Sequence, residues 1–170
     1  MCMPRNVSVI FKVRASQDVR VGLFAGAPNS DQMYEFVIGG ENNSKTYIQN
    51  KDVGKTDNHR HTGINNVTET IGILNFNEER KFWADFLHTR TGCAWLNCGW
   101  VRLGKGDVIG SNIIVQFKDE GPMGPTHVGY RSGSEAFWTL TCYSNCNGAY
   151  SYQANVFATI GLVFLFYLIN

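Results

Sequence analysis

Histidines, cysteines, glycine clusters and paired polar residues are where chemistry would have to reside in this chain. His59 and His61 flank Arg60 inside the polar stretch 50–69. Two histidines so close could serve as a metal site or an acid/base pair, although a solvated loop tip explains the same composition. Cysteines fall as two close pairs, Cys93 with Cys98 and Cys142 with Cys146, and Cys2 stands apart. Outside the cytosol four such thiols form disulfides, with local and long-range connectivities both open; in a reducing compartment they stay free. Zinc is the third reading, but neither pair has C-x-x-C spacing. Between Gly104 and Gly110 the sequence Gly-Lys-Gly-Asp-Val-Ile-Gly has the glycine density of a phosphate-binding turn. Such a turn must open a helix. Here Ile113 to Phe117 follows with strand character, so the glycines read as a hairpin. There is no Gly-x-Ser-x-Gly, and Asp107, Asp119 and Glu120 do not form a recognised calcium loop. The expectation is no catalytic centre, no cofactor and no metal.

The elements that would carry these residues are strands. In VSVIFKVRA, residues Val7, Val9, Phe11 and Val13 alternate onto one face, and Val19, Val21 and Leu23 do so in VRVGLFA. Tyr34–Ile38 and Lys45–Gln49 read as a hairpin pair across Glu41-Asn42-Asn43-Ser44. After the polar stretch, strands are expected at Thr70–Leu74, Arg80–Leu87, Trp95–Leu103, Ile113–Phe117, His127–Tyr130 and Ala136–Tyr143. No amphipathic helix of ordinary length interrupts them. With 170 residues, 18 glycines and 13% aromatics, the chain suits one domain of short strands and tight turns. The fold class expected is all-β: an antiparallel, jelly-roll-like β-sandwich over residues 7–143. A polar spacer, 144–155, and a hydrophobic tail, 156–169, follow.

That tail, VFATIGLVFLFYLI, has 14 residues and no charge, short of the roughly 20 that cross a bilayer as a helix. It reads as a buried terminal element, a short membrane anchor, or a glycolipid-attachment signal preceded by small residues around 144–148. The amino terminus shows no secretory leader pattern, which the third reading would require. The sequons at Asn6, Asn42 and Asn66 permit glycosylation outside the cell. A net charge of +1, with basic and acidic residues interspersed, argues against nucleic acid as a partner. A cell-surface or secreted location, membrane-associated through the tail, is the expectation.

Several segments resemble the domain named for farnesoic acid O-methyltransferase, found in arthropod and other invertebrate proteins. FKVRASQDVRVGLF, YEFVIGGENNSKTYI, ERKFWADF, GWVRLGKGDVIGSNIIVQFKD and THVGYRSGSEAFW occur in the family's order and cover most of residues 9–140. The long 50–69 connection and the segment 88–98 depart from its pattern. The resemblance implies methyl transfer from S-adenosylmethionine to an isoprenoid carboxylate. Within its segments, Glu35, Asn43, Arg80 and Trp83 are the candidate ligand-binding residues, lining a small polar cleft walled by an aromatic. The structural alternative pairs Glu35 with Arg80 across strands, sets Asn43 to its own turn and puts Trp83 in the core. The leading expectation is a recognition module for a glycan or protein ligand, with the methyltransferase as the alternative.

Overall fold

Period-two alternation decides the architecture. The computed structural model describes residues 6–25, 32–52, 63–89, 98–145, 149–158 and 167–168. Twelve strands run through them: β1 (Asn6–Ala15), β2 (Val19–Phe24), β3 (Gln32–Gly39), β4 (Lys45–Asp52), β5 (Gly63–Glu69), β6 (Arg80–Thr89), β7 (Cys98–Lys105), β8 (Ile113–Asp119), β9 (His127–Ser132), β10 (Ala136–Asn145), β11 (Ala149–Ala158) and β12 (Tyr167–Leu168). They form two antiparallel sheets, ordered β11-β10-β1-β6-β7-β8 and β12-β9-β2-β3-β4-β5. The protein is therefore all-β with two sheets face to face.

The core lies between them. Val7, Val9, Phe11 and Val13 meet Phe82, Ala84 and Phe86 from the first sheet, opposite Val21, Leu23, Tyr34, Phe36 and Ile38 from the second. Phe11 stacks on Phe82 at 5.6 Å between ring centroids, and Tyr34 stacks on Phe86 at 5.8 Å. Each such side chain contributes about 1.5–3 kcal/mol through burial. One open side of the sandwich is closed by side chains. Asn66 on β5 donates its amide to the Gln116 carbonyl on β8, and Thr68 donates to the Ile114 carbonyl at 3.0 Å.

Two sequence expectations change. Thr70–Leu74 is a turn segment rather than a strand, with Gly72 at φ 69°. The polar stretch instead contains β5, whose exposed residues alternate no apolar face. Its register comes from the ladder with β4. Toward the carboxyl end, β11 pairs with β10 and β12 pairs with His127–Val128 of β9. Residues 159–166 and 169 of the hydrophobic tail lie outside the described residues, as do His59, Arg60 and His61. Among the described residues, no helix is long and apolar enough to cross a membrane.

Candidate functional site

Outward positions of the second sheet carry its charge. Since Tyr34, Phe36 and Ile38 of β3 point into the core, Glu35 between them points out. It is nonetheless only 3% exposed. Three cations from three other strands cover it. Arg131 on β9 donates to Oε1 at 2.7 Å, Lys51 on β4 donates to Oε2 at 2.7 Å, and Arg20 on β2 lies 3.5 Å from Oε2. A buried carboxylate persists only with such pairing, and here both oxygens are occupied.

Arg20 is held from its other side by Asp18, with Nε 2.9 Å from Oδ1 and Nη2 3.3 Å from Oδ2. Burial opposes the Arg20 charge, but Asp18 and Glu35 outweigh it and hold the guanidinium above its ordinary value. Asp18 sits at φ 52° in the β1–β2 turn, where its N–H donates to the Gly39 carbonyl at 2.9 Å. A Cβ at Gly133 would come within 2.5 Å of Asp18 Oδ2, so that approach requires glycine. Beside Glu35, a Cβ at Gly22 would meet the Phe24 ring at 2.7 Å, and one at Gly129 at 2.9 Å. The bare glycines thus leave room for Phe24 to lie against the sheet. On the other flank, Gln49 is in register with Glu35, and Tyr47 is in register with Val37. Burial pushes the Tyr47 hydroxyl up, and Arg20 pulls it the other way.

Chemically, this arrangement organises donors. Glu35 accepts from its neighbours and is closed to solvent, whereas Arg20, Lys51 and Arg131 remain 26%, 31% and 36% exposed. Three cations here oppose two carboxylates, Glu35 and Asp18.

The other candidates lie elsewhere. Trp83 is fully buried, but on the outward face of the first sheet rather than in the core between sheets. Its ring occupies the space above Gly104, where a Cβ would fall 2.3 Å from it, and Nε1 donates to the Ser111 carbonyl at 2.9 Å. The glycine stretch 104–110 is accordingly the β7–β8 hairpin, with Gly106 and Gly110 at positive φ and the loop capping Trp83. Glu35 and Trp83 occupy opposite outer faces. Arg80 pairs with Glu78 at 3.0 Å rather than with Glu35. Asn43 is at φ 58° in a left-handed turn with Glu41 and Asn42, and shares an end of the sandwich with Arg80. Its amide donates to the Leu74 carbonyl at 2.9 Å and accepts the Leu74 N–H at 3.1 Å. The four candidates therefore do not converge on one cleft.

Cys98 is buried at the start of β7, and Cys142 stands opposite Val9 in β10. Cys93 and Cys146 lie outside the described residues. Of the sequons, Asn42 is exposed, Asn6 accepts the His88 N–H at 3.0 Å, and Asn66 is engaged with Gln116. Asp107 and Asp119 are at opposite ends of the sandwich, the first beside Lys81 and the second bonded to the Tyr34 hydroxyl at 2.6 Å. Among the described residues no three potential metal ligands cluster.

Sequence reasoning singled out Glu35 but missed Arg20, Lys51 and Arg131. Alternation alone assigns each an outward position. What the sequence lacks is the strand order β9-β2-β3-β4, which gathers them from positions far apart in the chain.

These features define an antiparallel two-sheet β domain with a charged outer face. The chain belongs to the family described as farnesoic acid O-methyltransferase, whose model matches residues 3–144. No curated protein and no solved structure matches it significantly.

Proposed function

We propose that this domain is a non-catalytic recognition module that binds a carbohydrate on the outward face of its second sheet. The observation carrying this reading is the buried Glu35 carboxylate, which holds Arg20, Lys51 and Arg131 in place while each stays partly exposed. Side chains fixed before the ligand arrives lose little freedom on binding, as recognition of hydroxyl-rich ligands demands. Tyr47 and Gln49 add an aromatic edge and an amide on the neighbouring strand.

A cell-surface or secreted setting, with membrane association through the hydrophobic tail, belongs to the same proposal. It is supported by the uncharged run 156–169, by the exposed sequon at Asn42, and by a disulfide at Cys98. We propose Cys93 as the partner of Cys98.

The family description supports a second reading, methyl transfer from S-adenosylmethionine to farnesoic acid. Against it stands the use of the glycines at 104–110, which shape a hairpin over Trp83. A glycan array and a calorimetric titration with S-adenosylmethionine, both on the purified full chain, separate the two. Retention of a defined glycan class supports recognition. Saturable micromolar binding of S-adenosylmethionine with no glycan retained would overturn it in favour of the enzyme.

A further inference from the structure

Resting on the reading of this face as a glycan site, we infer that its ligand is an acidic glycan, whose carboxylate or sulfate group sits between Arg20, Arg131 and Lys51. Around Glu35 cations outnumber acids: Arg20, Lys51 and Arg131 face Glu35 and Asp18. Among the outward positions of β9, β2, β3 and β4, Glu35 is the sole acid, against Arg20, Lys45, Lys51 and Arg131. Lys45 is paired with Glu41 at the end of its strand, at 2.6 Å. The other three converge on a single carboxylate that has only two oxygens to offer.

Arg20 and Arg131 are direct cross-strand partners in the antiparallel ladder. Like charges placed opposite one another destabilise a sheet. Glu35 bridges the two, Asp18 holds Arg20 alone from its other side, and both arginines stay partly exposed. An anion arriving there relieves the remaining repulsion and takes up guanidinium and ammonium N–H groups that Glu35 and Asp18 leave unused. A ring of sugar atoms attached to that anion reaches Tyr47, one strand beyond Val37 in the row that begins Arg131, Arg20. A neutral sugar would leave the clamp's net charge uncompensated.

The test is calorimetric binding to the full chain of three probes of matched length: a sulfated heparin hexasaccharide, a carboxylated oligogalacturonate and neutral chitohexaose. At least one acidic probe is expected to bind about tenfold or more tightly than the neutral one, with an advantage that shrinks as sodium chloride is raised. Which acidic probe binds assigns sulfate or carboxylate as the group held. Arg131→Gln and, separately, Lys51→Gln should each weaken that probe about tenfold. Both residues are partly exposed, and a thermal melt identifies any variant that loses its fold; the other then carries the test. Chitohexaose binding as tightly as the acidic probes would overturn the inference and leave the glycan reading standing. Binding of none would overturn both. Acidic binding unchanged in both folded variants would place the anion elsewhere and overturn the clamp.

Discussion

Replacing Asn43 gives a measurable account of how the left-handed turn is held. Three successive residues without the freedom of glycine, Glu41, Asn42 and Asn43, have φ of 50°, 60° and 58°. For an ordinary residue that region costs about 1–2 kcal/mol. Asparagine tolerates it better, and here its amide also pairs with both the N–H and the carbonyl of Leu74, a residue 4% exposed. Asn43→Ala removes two hydrogen bonds at about 0.5–1.5 kcal/mol each. Adding about 1 kcal/mol of backbone strain gives an expected loss of about 2–4 kcal/mol. Asn43→Gly loses the same bonds without the strain, and should be about 1 kcal/mol less destabilised than alanine after the extra freedom of its unfolded chain is counted. Asn43→Asp keeps the acceptor but sets a carboxylate oxygen against the Leu74 carbonyl, so it should fall near alanine. Urea unfolding monitored by circular dichroism reads these values as midpoint shifts at unchanged slope. An alanine variant within about 0.5 kcal/mol of the parent, or a glycine variant no better than alanine, would refute the reasoning.

Further variants probe other parts of the sandwich. Gly104→Ala drives a methyl to 2.3 Å from the Trp83 indole; overpacking should cost about 1–3 kcal/mol, and unshifted tryptophan emission with full stability would contradict that packing. Tyr34→Phe deprives Asp119 Oδ2 of its donor at 2.6 Å and the Met123 N–H of its acceptor at 3.1 Å; urea unfolding should show about 1–3 kcal/mol lost. Asp85 offers a pH experiment. Burial raises its carboxyl above the ordinary value of 3.8, with Arg102 pulling the other way. A raised acid binds its proton more tightly when folded, so the stability it adds is full below 3.8 and fades as pH climbs through the folded value. Asp85→Asn should remove this component, and its stability relative to the parent should rise with pH across that window. A difference independent of pH would count against the burial argument.

Legibility in the sequence follows the physics of each element. Val7, Val9, Phe11 and Val13 announce β1 because one of its faces is packed and the other is not. Nothing comparable marks Gly63–Glu69, whose exposed residues follow no alternation and whose strand exists through the backbone ladder and two side-chain contacts to β8. Glu35 drew notice through its segment, but its meaning depends on partners at positions 20, 51 and 131, joined only by sheet order. In sequence Trp83 suits a ligand cleft or the core; it lies in neither, because β6 hides both faces, one under the opposite sheet and one under the hairpin. The left-handed turn at 41–43 follows a Gly-Gly pair that flags a bend but not its hand.

The clasp between β5 and β8 has a consequence for how this protein behaves in company. Both are terminal strands of their sheets, and such margins template unwanted addition of a second chain. Ile64, Val67 and Ile113 are 55%, 52% and 40% exposed along these two strands, which would make that encounter adhesive. Asn66 and Thr68 occupy the Gln116 and Ile114 carbonyls that an incoming strand would seek. The seam that closes the sandwich thereby also discourages fibril-like stacking, and loosening it would raise aggregation before it lowered folding stability.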